Sequence, residues 1–125
     1  MPDSSWFTNR AGQRLLTAEE VEAGPDTSAG PAPGIWTVSS SKSDGITPGF
    51  TIKDSSGERW FLKFDPPGYR GMSTGTEVTA TKLMWALGYN VPENHIAYVR
   101  RWQLVVGDGA TFTPRGGKRR TMRLR

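Results

Sequence analysis

The chain has no cysteine among its 125 residues. That excludes a disulfide framework, a thiolate zinc site and a cysteine nucleophile. It has a single histidine, His95, so a metal centre built on several histidines is excluded as well. His95 reads from its surroundings as a structural or surface residue. No run of 18 apolar residues exists, which excludes a transmembrane helix. The N-terminus, Met-Pro-Asp-Ser-Ser, lacks a basic region followed by an apolar one, so no signal peptide is visible and the cytoplasm is the default compartment. Apolar residues are scarce at 35%, with a mean hydropathy of -0.53, yet five Trp and five Phe suffice to anchor one modest core.

Acid is absent from the C-terminal end. Residues 1–114 hold 10 Lys and Arg against all 12 acids. Arg115, Lys118, Arg119, Arg120, Arg123 and Arg125 follow with no acid among them. The positive net charge is therefore a property of this tail. Six cations there suit a salt-dependent contact with nucleic acid or an acidic surface, although the tail lacks the aromatics that stacking on a single strand uses.

The clearest local pattern lies in residues 49–64. Phe50 and Ile52 alternate with Thr51 and Lys53. Trp60, Leu62 and Phe64 alternate with Phe61 and Lys63. This period of two predicts paired strands, and Asp54-Ser-Ser-Gly57 supplies the turn. Lys63 falls on the same side as Phe61, in a strand apolar enough to suggest an inward-capable lysine. The plainer alternative is an edge-strand lysine that keeps its charge in water.

Around this hairpin the chain divides into a peripheral segment (1–34), an α+β domain (35–113) and a basic, disordered tail (114–125). Thr17-Ala-Glu-Glu20 is a capping box opening a short helix that Gly24-Pro25 ends. Residues 25–34, rich in Pro, Gly, Ser and Ala, read as a flexible linker. Strands are expected at 35–38, 96–99 and 102–106, with a turn at 107–109. A helix is expected over 74–87, opened by a second capping box, Thr74-Gly-Thr-Glu77, with Gly88 at C′. Ala80, Leu83, Met84 and Leu87 would form its apolar face. Glu77 continues that face towards the sheet, where Lys63 is its candidate cation. The expected class is α+β: a small antiparallel sheet with one main packed helix.

A Gly/Ser loop, a strand lysine and a helix glutamate, in that order, suit phosphoryl-transfer chemistry. Backbone N–H groups of a glycine-containing loop can approach phosphate oxygens, while the glutamate holds the lysine on them. Ser43-Asp-Gly-Ile-Thr-Pro-Gly49, Phe61-Leu-Lys-Phe64 and Thr76 to Pro92, ending Leu87-Gly-Tyr-Asn-Val-Pro92, resemble the N-lobe of HipA-like atypical kinases over roughly residues 36–106. The resemblance implies that Lys63 contacts ATP phosphates and that Glu77 pairs with Lys63. It further implies that Ser43, Gly45 and Gly49 line the phosphate loop. Catalysis would then require a C-terminal lobe carrying a base aspartate and magnesium ligands. Those motifs do not occur here, so no catalytic residue is assigned and the chain reads as an incomplete kinase-like protein. The alternatives are a small non-enzymatic β-rich module whose basic tail contacts nucleic acid, and a structural domain in which Lys63 and Glu77 form only an ion pair.

Overall fold

The structure is a computed structural model that describes residues 2–41, 49–112, 118 and 120–122. It is α+β, with a five-stranded, mostly antiparallel sheet and one main helix. Two compact units divide the chain. One comprises Met1–Gly30 and Gly71–Ile96, the other Pro31–Arg70 and Ala97–Arg125. The main helix therefore groups with the N-terminal segment. This division differs from the expected boundaries at 34 and 113, because the backbone partners of the N-terminal segment lie just beyond that helix.

In the helical unit, α1 (Ala18–Ala23) begins at the expected capping box. Thr17 Oγ1 accepts from the Glu20 N–H at 3.2 Å, and Glu20 Oε2 accepts from the Thr17 N–H at 2.9 Å. Gly24 ends it at φ 57°. The long helix, α2 (Met72–Ala86), starts two residues before the expected site, after Gly71 at φ 81°. Its Gly75 N–H already bonds the Gly71 carbonyl at 3.0 Å. Thr74 and Glu77 thus lie inside the helix, and the second capping box does not open it.

The expected apolar face of α2 is corrected too. Leu83, Met84 and Leu87 are 54%, 39% and 66% exposed. Val78, Thr81, Lys82 and Trp85 are among the half-buried positions instead. Polar groups take part of this face: Asn94 Nδ2 donates to Thr81 Oγ1 at 2.7 Å, and Lys82 Nζ donates to the Glu22 carbonyl.

The C-terminal end of α2 receives the N-terminal segment. Gly88 adopts φ 114° beside the Phe7 ring. The Thr8 N–H bonds the Gly88 carbonyl at 2.7 Å, and the Asn90 N–H bonds the Trp6 carbonyl at 2.9 Å. Arg10 lies 4.8 Å from the Trp85 ring centre and donates to the Trp85 carbonyl at 3.0 Å. A cation there answers the negative end of the helix dipole.

In the sheet unit, β1 (Trp36–Ser41), β2 (Gly49–Lys53), β3 (Arg59–Lys63), β4 (Leu104–Phe112) and β5 (Arg120–Thr121) run in the spatial order β3-β2-β1-β4-β5. Among the described strands, only β1 and β4 pair in parallel. Ladder partners share a face, which sorts the side chains. Trp36, Val38 and Ile52 form the core, with Phe50, Trp60, Leu62, Val99, Leu104 and Met122 packed on them. Thr37, Thr51, Lys53, Arg59, Phe61, Lys63 and Val105 belong to the other face.

Three expectations change in this unit. Residues 96–99 form no strand, and Arg101–Gln103 make one turn of 3₁₀ helix before β4. The expected turn at 107–109 lies inside β4. There the register passes from Val38↔Val106 to Ser40↔Thr111, so four residues of β4 stand against one of β1. A Cβ on Gly107 would lie 2.8 Å from Thr37 Cγ2, and Gly109 takes φ 71°, so glycines accommodate this bulge. Part of the expected disordered tail is ordered. Arg120 and Thr121 pair with Phe112 and Thr111, and the Met122 N–H bonds the buried Ala110 carbonyl at 2.7 Å. Unsatisfied backbone on β4 and an apolar Met122 give this piece of the tail a partner that its composition does not announce. No helix among the described residues is long and apolar enough to cross a membrane.

Candidate functional site

The β2–β3 hairpin positions the candidate lysine. Its turn is held by Asp54, which is 6% exposed and accepts five hydrogen bonds. Oδ1 accepts from Ser56 N at 2.9 Å, Ser56 Oγ at 2.6 Å and Glu58 N at 3.0 Å. Oδ2 accepts from Ala32 N at 2.9 Å and Trp60 Nε1 at 3.0 Å. These donors, the Ser56 hydroxyl foremost, hold its carboxyl well below the usual carboxylate range. Asp54 therefore does more than turn the chain, because it also ties residue 32 to the hairpin. Trp36 Nε1 donates to the Ala32 carbonyl at 2.7 Å, and Ser55 Oγ to the Pro33 carbonyl at 2.6 Å. The expected flexible linker at 25–34 is in fact anchored at these points.

With the turn closed in this register, Gly49 stands directly opposite Lys63. The strands approach closely here: a Cβ on Gly49 would lie 2.6 Å from the Leu62 carbonyl oxygen, so a larger residue would displace the backbone. Lys63 is exposed, on the face opposite the core. The expectation of an inward lysine is corrected. Ile52 and Trp60 take the core face, and the pleat sends Lys63 outward with Phe61.

Two of the five expected site residues, Gly49 and Lys63, are thus adjacent. Ser43 and Gly45 lie outside the described residues. Glu77 is half-buried on α2, in the helical unit, and its carbonyl accepts from Thr81 Oγ1 at 2.8 Å. Of the tail cations, Arg115, Arg119, Arg123 and Arg125 lie outside the described residues, and Arg120 is exposed on β5.

A second cluster was not legible in the sequence. In the helical unit, one ligand-type atom from each of Asp26, Glu93 and His95 falls within 4.8 Å of the others. Hydrogen bonds already occupy it. Glu93 accepts from the Thr27 N–H at 2.8 Å, the Thr27 hydroxyl and Ser28 Oγ at 2.7 Å, and His95 Nε2 is 3.2 Å from Glu93 Oε2. The Asn94 N–H donates to Asp26 at 3.3 Å, and Lys82 Nζ lies 3.8 Å away from that carboxylate. The Thr27 and Ser28 hydroxyls and the other donors lower the Glu93 carboxyl to about 2. The arrangement works as a clasp, fastening residues 26–28 to residues 93–95. Its only sequence signal is the run of hydroxyl and acid residues at 26–28, which reads equally well as loop composition.

Comparison with protein-family models, curated proteins and solved structures finds no match to this chain.

Proposed function

We propose that the sheet unit binds nucleotide phosphates, with ATP as the ligand, at the end of the hairpin where Gly49 faces Lys63. The observation that carries this reading is that pairing. The sequence places the Gly-containing segment 42–48 immediately before Gly49, and the ladder places Gly49 beside an exposed ammonium group. Backbone N–H groups and one cation are the elements that a phosphate cradle needs. The reading is of a HipA-like kinase N-lobe that binds nucleotide. Turnover would require a base aspartate and metal ligands from a further lobe.

Titration calorimetry with ATP tests the proposal. Lys63→Ala should weaken binding about tenfold or more, since it removes a charge-assisted contact worth roughly 1.5–3 kcal/mol. Lys63→Arg should retain part of the affinity. Equal ATP affinity in wild type and Lys63→Ala would defeat the reading.

A further inference from the structure

The outward face of the hairpin carries a second chemistry. On β3, Arg59, Phe61 and Lys63 alternate towards the face away from the core, and all three are exposed. Phe61 is 76% exposed, although Trp60 and Leu62 beside it pack against the core. Across the ladder, Lys53 stands directly opposite Arg59, and Thr51 opposite Phe61. Two cations facing each other in a ladder repel and weaken the sheet. No ion pair among the described residues engages either Lys53 or Arg59. The neighbouring outward positions, Thr37, Thr51 and Val105, add no acid.

An exposed phenyl ring flanked by cations along an extended strand fits one kind of ligand especially well. Arg59 lies two residues from Phe61 on β3, about 7 Å away along the strand, of the order of the spacing between neighbouring phosphates in an extended polynucleotide. A base can stack on the ring while a neighbouring phosphate meets Arg59 and the Lys53 opposite it, and such stacking tolerates any base. An acidic peptide would satisfy the charges but would leave the ring without a planar partner. We infer that this sheet face binds single-stranded nucleic acid, with Phe61 as the stacking platform and Lys53 and Arg59 as phosphate contacts. The surface is distinct from the basic tail. It borders the proposed ATP site at Lys63 but does not depend on it, since Phe61, Lys53 and Arg59 carry it.

Fluorescence anisotropy with a labelled oligothymidylate, and with a duplex of the same length, tests the inference on the full chain. Phe61→Ala should weaken single-strand binding about tenfold and leave duplex binding unchanged, because a duplex offers no free base face. Phe61→Tyr should restore the single-strand affinity. The double variant Lys53→Ala, Arg59→Ala should weaken binding and reduce its salt slope by about 1.4, at roughly 0.7 for each phosphate left without its cation. Phe61 is exposed, so its variants should fold, which circular dichroism checks. Unchanged oligothymidylate affinity in Phe61→Ala would overturn the proposal. So would an equal loss for the duplex, which would leave charge alone. A third contrary result is a dimer, seen by light scattering, that Phe61→Ala dissociates with no change in oligonucleotide affinity. Loss of ATP binding in Lys63→Ala with oligonucleotide binding retained would separate this surface from the nucleotide site.

Discussion

Ile52 is where one substitution should report most sharply on this fold. Its side chain is fully buried. It sits on β2 between Val38 of β1 and Trp60 of β3, its partners in the two ladders. Truncation to alanine removes three carbons, a transfer loss of about 2.4 kcal/mol at roughly 0.8 kcal/mol per buried methylene. The two ladders hold the backbone on both sides, so the space left behind closes only partly and a cavity penalty adds to the transfer loss. Ile52→Ala should therefore cost about 3–4 kcal/mol, and Ile52→Val about 1 kcal/mol. The core holds few other fully buried side chains, and a loss of this size is a large fraction of the ~5–15 kcal/mol that stabilises a typical domain. Urea unfolding followed by tryptophan fluorescence measures it, since Trp36 and Trp60 pack in the same core. The midpoint should fall sharply with the slope unchanged. Phe61→Ala is the internal control. Phe61 lies next to Trp60 but on the other face, so its truncation should shift stability by no more than about 0.5 kcal/mol. An Ile52→Ala cost below about 1 kcal/mol, or one smaller than that of Phe61→Ala, would show that the faces of the sheet are assigned the wrong way round.

Gly88→Ala should destabilise the helical unit. A side chain at φ 114° costs about 1–3 kcal/mol in backbone strain alone, and its Cβ would lie 2.5 Å from Phe7 Cε2 and 2.9 Å from the Thr8 carbonyl. Thermal unfolding should register the loss, and an unchanged melting temperature would refute the close approach of Phe7. Acid should loosen the clasp at Glu93. Its carboxyl is lowered to about 2 from the ordinary 4.5. The stabilisation is therefore complete above about pH 4.5 and is lost as pH falls through about 2. Glu93→Gln should be less stable than wild type at neutral pH and should decline less steeply in that acid window, as urea midpoints across pH would reveal. Parallel pH profiles for the two proteins would mean that the hydroxyl donors do not stabilise the carboxylate.

The signals that the sequence carried faithfully span only a few residues. Thr17 and Glu20 are three apart and close their own capping box. Asp54 to Gly57 makes the expected turn, its Gly57 N–H reaching back to the Asp54 carbonyl at 3.0 Å. Gly88 ends α2 as expected, because its N–H reaches back to Trp85 at 2.9 Å and few other residues tolerate its φ. Strand alternation also placed Lys63 on the side of Phe61. In each case the forces act between near neighbours, so composition and spacing suffice.

Tertiary structure decided the rest. Alternation separates two faces of a strand, but which face is buried depends on the strands beside it. Trp36 and Val38 recruited Ile52 and Trp60, and that left Phe61 and Lys63 outside. The apolar spacing of Leu83, Met84 and Leu87 in α2 was real, yet Val78, Thr81, Lys82 and Trp85 are the more buried side chains. Asp54 looked like a turn residue until Ala32 and Trp60 supplied donors from outside the turn. Glu93 and His95 meet Asp26, Thr27 and Ser28 across a long stretch of chain. The sequence on its own determined the hairpin, its turn and the α+β class. Only packing between segments distant in sequence decided which side chains face water, because burial depends on what the chain brings to a surface as much as on the residues that make it.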